Sequence, residues 1–272
     1  NTAFAAVTGT SIASAAAFTR IAWPEMKKAG YNHSFALGAI SGSACLGMLI
    51  PPSVLLIVWG IITEDSIGKL FVAGVIPGIL LALLYVSYNL IRAIMKPELA
   101  PEPDKVGLVT KLTKTEIYSG FSIIALIFLV LGGIWGGIFT ATEAAGMGAI
   151  ASFIIALCKG MKFKGVVESV IDAGKTSAPI MILLITAGMY SRFLSLSDIN
   201  SIILEAITSV GLNQFAILIM MVVIWLVLGM LLDSISIILL TVPLFIHLVP
   251  EMNPYAFAIF GILAIEAGLL TP

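Results

Sequence analysis

Charge is what this sequence has least of: only 11% of its 272 residues are Asp, Glu, Lys or Arg, against 60% hydrophobic. The formal net charge of -1 argues against nucleic acid as a partner. Cysteine is nearly absent, and Cys45 and Cys158 stand in apolar runs without metal or redox spacing, so they read as small buried hydrophobes. His33 and His247 are too few and too far apart for a metal centre or a catalytic dyad. Neither Gly-x-Ser-x-Gly nor His-Glu-x-x-His occurs, and Gly174-Lys-Thr-Ser177 fails as a phosphate loop because Ser169 occupies the place of its first glycine. These gaps leave neither an enzyme motif nor a nucleotide site, and no covalently bound cofactor is expected.

What fills the chain instead is a series of long apolar runs, with a mean hydropathy of +1.12. Runs of that length recur from end to end, which defines an all-α multi-pass membrane protein whose first partner is the lipid bilayer. There is no initiator Met and no signal peptide, and Pro272 falls inside an apolar run, so the chain is expected to be a fragment lacking both termini.

Residues 1–14 are small and polar, and the apolar stretch from Ala15 to Trp23 stops at Pro24. At 1.5 Å per residue that stretch covers less than half of a ~30 Å hydrocarbon core. It is expected to be the return limb of a re-entrant hairpin with its tip at Gly9-Thr10-Ser11, followed by a surface turn from Pro24 to Tyr31. Two half-helices follow, Phe35 to Ala44 and Val54 to Thr63, separated by a helix-breaking run that contains Gly47, Pro51 and Pro52. Leu70 to Ile94 reads as a span kinked at Pro77-Gly78, and Lys96 to Lys114 as a linker. Spans at 117–139 and 141–158 are turned by Gly132 to Gly137, with Glu143 capping the second. Lys159 to Lys175 is expected along the surface, Ala178 to Leu194 as a span, and Ser195 to Val210 as an amphipathic segment. Phe215 to Gly229 and Ser234 to Val249 each reach only about 22–24 Å, and are expected to form a second re-entrant hairpin.

The architecture occurs twice. Leu46-Gly-Met-Leu-Ile-Pro51 and Ala267-Gly-Leu-Leu-Thr-Pro272 match in spacing, and each is preceded by a hairpin and a proline-containing turn. If the first hairpin enters from the cytoplasm, 12 of the 14 basic residues fall inside, leaving only Lys69 and Arg192 outside. That placement, which needs the limbs at 215–249 to return to the outer face or cross twice, sets the hairpins on opposite faces and inverts the repeats. Inverted repeats with broken helices in corresponding positions point to a binding site near the bilayer midplane.

The stretches Thr8 to Ser14, Pro24-Glu-Met-Lys-Lys-Ala-Gly-Tyr31, Leu46-Gly-Met-Leu-Ile-Pro-Pro-Ser53, Ser66 to Gly78, Thr140-Ala-Thr-Glu-Ala-Ala145 and Gly268-Leu-Leu-Thr-Pro272 resemble the large membrane subunit of tripartite ATP-independent periplasmic (TRAP) transporters of the DctM type. The resemblance runs end to end. It implies an elevator-type permease of the bacterial inner membrane that imports organic acids with Na⁺ as coupling ion. C4-dicarboxylates, sialic acids and other sugar or keto acids are the solute classes implied. Implied partners are a small membrane subunit and a periplasmic substrate-binding protein. Residues 1–63 and 214–272 would form the transport domain, and 64–213 largely scaffold and arms. The alternative is a stand-alone Na⁺- or H⁺-coupled organic-anion transporter of a related inverted-repeat fold.

The residues follow from both lines. A first Na⁺ site is expected at the hairpin tip, through Thr10 or Ser11, with backbone oxygens of Gly47, Ile50 and Pro52, because hard cations take oxygen ligands. A second is expected from Gly229, Gly268 and Thr271. Solute carboxylates are expected at limb N-termini, near Ser11 and Ser14 and near Ser234 and Ser236. Asp233 and Glu266 lie in apolar runs, where a carboxylate lines a cavity or meets a partner. Either could face substrate or ion, and for Asp233 a helix cap at the hairpin tip is weighed equally.

Overall fold

The structure, a computed structural model, describes residues 11–100, 113–209 and 211–271, and every regular element among them is helical. The first helix, α1 (Ser11–Ala29), runs straight through Pro24. This corrects the expectation of a stop there. A proline removes the bond to the carbonyl four residues back, here that of Arg20, and both residues are exposed. At 19 residues the helix extends about 28 Å, and its length no longer separates a re-entrant limb from a crossing. Of the expected tip at Gly9-Thr10-Ser11, Gly9 and Thr10 lie outside the described residues, and Ser11 is the first residue of α1.

Helix α2 (His33–Cys45) is capped by Asn32, whose side chain accepts from the Phe35 N–H at 3.2 Å. It tightens into a 3₁₀ turn at Leu46–Met48, and helical structure resumes only at α3 (Val54–Thr63). The expected interruption is therefore present. Helix α4 (Ile67–Met95) passes through Pro77 unbroken. Helices α5 (Lys114–Trp135) and α6 (Ala141–Cys158) are joined by a turn whose Gly137 sits at φ +69°, where glycine is favoured. Thr140 and Glu143 close a reciprocal capping box on α6, as expected of Glu143. Cys158 is exposed at the end of α6 rather than buried.

The largest departure is α7 (Phe163–Leu196), one helix of 34 residues where a surface segment and a separate span were expected. Nothing between Lys175 and Ala178 is a strong helix breaker, so the amphipathic segment and the apolar one fuse. Then come α8 (Ile199–Ser209), α9 (Gln214–Gly229), α10 (Ser234–Phe245) with a 3₁₀ turn at Ile246–Leu248, and α11 (Pro254–Leu270).

Among the described residues, four helices are long and apolar enough to cross a membrane, at Ile67–Met95, Ile117–Trp135, Ala141–Cys158 and Phe163–Leu196. No more than 22% of any of their apolar windows is buried within the chain, so their hydrophobic side chains face outward, as lipid contact requires. The chain is a multi-pass membrane protein.

It divides into two compact units. One holds α5, α6 and α7 up to Pro179, with α5 and α6 packed together; the other holds α1–α4 and everything from Ile180 onward. In the latter, α9 packs on α11, α1 on α2 and α3 on α10 around a core of Trp59, Met221, Trp225, Ile237, Phe257 and Ile262. Trp59 and Phe257 meet edge to face at 5.5 Å, which ties α3 to α11.

Helix α4 is shaped to receive the interruption. A Cβ on Gly74 would sit 2.5 Å from the Leu49 carbonyl oxygen, and one on Gly78 would sit 2.9 Å from the Ile50 side chain. Gly74→Ala is therefore expected to cost about 1–3 kcal/mol through overpacking, whereas Gly120→Ala on α5, with nothing within 4 Å of a new Cβ, should be neutral or stabilising. Thermal melts of the two purified variants check the contrast.

Candidate functional site

The interruption between α2 and α3 is where backbone chemistry is left open. Continuing α2 would require the N–H groups of residues 51 and 52 to serve the carbonyls of Gly47 and Met48, and both residues are proline. Ser53 takes over one of these: its Oγ donates to the Met48 carbonyl and accepts from the Leu56 N–H at 3.4 Å, capping α3. The Gly47 carbonyl keeps no helical donor. Leu49 and Ile50 donate their N–H groups to Leu46, so the turn closes on the residue before Gly47. Gly47 is buried, Ile50 and Pro52 are half-buried, and α1 packs against this same turn. The structure thus brings the helix that starts at Ser11 to the interrupted segment. Ser11 and Ser14 are both buried, while Thr10 lies outside the described residues.

The second set converges differently. Gly229 and Gly268 bring α9 and α11 together backbone to backbone: a Cβ on Gly229 would lie 2.6 Å from the Gly268 carbonyl carbon, and one on Gly268 would lie 2.8 Å from the Trp225 oxygen. Both lone pairs of the Gly268 carbonyl are engaged by Thr271, whose N–H donates at 3.1 Å and whose Oγ1 donates at 2.7 Å. In this conformation the oxygen that Thr271 presents is its own hydroxyl.

The two carboxylates part company. Asp233 is exposed and caps α10, accepting from the Ser236 N–H at 3.1 Å and from the Ser236 hydroxyl. Glu266 is 5% exposed and accepts from the Ser234 hydroxyl at 2.6 Å. The side chains of Ser11 and Cys45 also reach its carboxylate. Glu266 borders a cavity of about 180 Å³, formed with Gly42, Cys45, Leu49, Tyr85 and Ile262. Ser236 borders another of about 300 Å³, with Thr186, Ala187, Tyr190 and Leu239.

Two features escaped the sequence reading. Gly74 and Gly78 on α4 make room for the interrupted segment, a role that spacing alone does not reveal. The meeting of Ser11, Cys45, Ser234 and Glu266 was legible had the internal repeat been extended by one residue. Cys45 precedes Leu46-Gly47 as Glu266 precedes Ala267-Gly268, and Ser11-Ile12 matches Ser234-Ile235.

Four outward-facing apolar helices and an interrupted one among the described residues define a polytopic membrane protein. The chain belongs to the family described as the tripartite ATP-independent periplasmic transporter, DctM component, which it matches over residues 1–272. Among curated relatives it is similar to the C4-dicarboxylate TRAP transporter large permease protein DctM of Pseudomonas aeruginosa, 32% identical over 99% of this chain and 63% of the relative. It is also similar to the ectoine TRAP transporter large permease protein TeaC of Halomonas elongata, 31% identical over 100% of this chain and 64% of the relative. The sialic acid TRAP transporter permease protein SiaT of Haemophilus influenzae is 28% identical over 99% of this chain and 44% of the relative. The chain therefore spans less than two thirds of the length of each.

Ser53 carries both repairs at the interruption. Ser53→Ala is expected to leave the Met48 carbonyl unpaired and α3 uncapped, lowering stability by about 1–3 kcal/mol; Ser53→Thr, which keeps the hydroxyl, should lose less in the same denaturation measurement.

Proposed function

We propose that this chain is part of the permease subunit of a Na⁺-coupled, binding-protein-dependent symporter that imports organic acids across the bacterial inner membrane by an elevator movement. The observation that carries the proposal is the interruption at Gly47–Ser53, which leaves a buried carbonyl without its helical donor beside the helix that begins at Ser11. Non-helical backbone at membrane depth persists where protein, water or an ion satisfies it, and free carbonyls at a broken helix are the ligands hard monovalent cations take in secondary transporters. The first Na⁺ site accordingly comprises Thr10 or Ser11 with backbone oxygens of Gly47, Ile50 and Pro52. The second comprises Gly229, Gly268 and Thr271.

The solute is bound near Ser11 and Ser14 and near Ser234 and Ser236, where limb N-termini offer N–H groups to a carboxylate. Asp233 supports that region by holding Ser236 in place. Residues 1–63 and 214–272 carry the moving site as two inverted re-entrant hairpins with their broken helices, and 64–213 act as scaffold. A small membrane subunit and a periplasmic binding protein complete the machine. The named relatives serve C4-dicarboxylates, ectoine and sialic acid, and an organic acid is the solute class proposed here. Ion binding at the two tips would order the hairpins and close the pocket between them, which couples solute to ion.

The test is uptake of a carboxylate panel by proteoliposomes holding the full-length permease and its cognate partners, with and without a Na⁺ gradient. Uptake is expected only with Na⁺ and the binding protein. Gly47→Leu, which fills the space beside the open carbonyl, should abolish Na⁺-dependent uptake; full uptake by that variant would refute the first site. Uptake without the binding protein would favour the stand-alone transporter.

A further inference from the structure

We propose that the Glu266 carboxylate is the charged ligand of a monovalent-cation site where the two repeats meet, taking Na⁺ together with the hydroxyls of Ser11 and Ser234. The inference rests on the Na⁺ coupling proposed above and deepens it, since every ligand named there is neutral.

Glu266 is 95% buried by its 5% exposure. One oxygen, Oε1, accepts from Ser234 at 2.6 Å. The other, Oε2, is buried and has no hydrogen-bond partner among the described residues. No Lys, Arg or His forms an ion pair with it among those residues either. Ser11 and Cys45 reach the carboxylate, yet no donor meets Oε2 itself, and a charge buried in this way is costly unless it is paired, coordinates an ion or is neutralised by a proton. A cation is the partner proposed, and the choline arm of the test separates it from a proton. The cation's charge is bounded by the surroundings: no group of three or more His, Cys, Asp or Glu able to hold a metal occurs among the described residues, so the cluster of acidic or soft ligands that a multivalent metal takes is not found among them. That matches a monovalent ion and not a divalent one. Carboxylate and hydroxyl oxygens are hard donors suited to Na⁺, and the Cys45 thiol, a soft group, serves as a neighbour and not a ligand.

The internal repeat explains why there is one such site and not two. Ser11 and Ser234 occupy equivalent positions, as do Cys45 and Glu266, and all four converge. Only the second repeat places a charge there. An ion held at this point touches α1 from the first repeat and both α10 and α11 from the second, so its arrival fastens the two hairpin helices to each other.

The test uses the full-length permease in detergent, with NaCl titrated against choline chloride at constant ionic strength and the thermal unfolding midpoint as readout. Glu266→Gln keeps the size and the Ser234 bond but removes the charge. It is expected to raise the Na⁺ concentration for half-maximal stabilisation by about 10-fold or more, with a smaller rise for Glu266→Asp. Ser11→Ala and Ser234→Ala should raise it too, which keeps the test open if the Gln variant does not fold. A Gln variant with the wild-type Na⁺ midpoint, merely less stable at every concentration, overturns the proposal and leaves Glu266 as a brace. Wild-type stabilisation that follows falling pH in choline, is indifferent to Na⁺ and is lost in the Gln variant also overturns it. A wild type unresponsive to both refutes the Na⁺ coupling itself, an outcome distinct from the first.

Discussion

A carbonyl whose helical donor has been replaced by proline is the constraint from which this structure is built. One such oxygen in hydrocarbon costs several kcal/mol, so the segment from Gly47 to Ser53 cannot face lipid and must be wrapped. The wrapping is visible residue by residue. Ser53 spends its hydroxyl on the Met48 carbonyl, Gly74 and Gly78 thin one face of α4 so that it can lie against Leu49 and Ile50, and α1 covers the turn from another side. The helices that carry no such burden show the opposite behaviour. In Ala141–Cys158 only 6% of the apolar window is buried, because its backbone is satisfied internally and its side chains suit the bilayer.

Proline was the most informative residue in the sequence and also the most misleading. Pro51 and Pro52 did break the helix, because two adjacent donors vanish just after Gly47 and the segment cannot be repaired by shifting one bond. Pro24, Pro77 and Pro179 all lie inside continuous helices. Each removes a single donor, and at Pro24 the residue whose carbonyl loses it, Arg20, is exposed. Counting how many consecutive N–H groups are lost, and whether the affected carbonyls can reach solvent, separates the two outcomes better than the presence of proline does. The same distinction accounts for α7, where Pro179 removes only the single donor that would serve the carbonyl of Lys175, an exposed residue, and the helix continues past the change in polarity expected to end it.

The elements around the site were readable because broken helices, caps and glycine contacts are local. Asn32, Ser53, Thr140, Asn213, Asp233 and Asn253 all cap as their residue types favour. The contacts across the site were not readable in the same way. Gly229 and Gly268 are 39 positions apart, yet Gly268 occupies the space that a Cβ on Gly229 would need, and the Trp225–Leu226 backbone the space that one on Gly268 would need. Only the internal repeat carries information over that range, and it locates equivalent residues without saying that they touch.

Asp233 and Glu266 show how much such contact decides. Both are carboxylates in apolar sequence, and nothing in their immediate neighbours ranks one above the other. Asp233 stands at a helix N-terminus, where the Ser236 N–H and hydroxyl satisfy it at the surface. Glu266 lies three turns into α11, where the backbone is already paired and a side chain can be satisfied only from other helices. Ser234 answers half of that need. The residue beside Asp233 thus completes the surroundings of Glu266, and the turn that joins α9 to α10 serves both carboxylates at once, one by capping and one across the core.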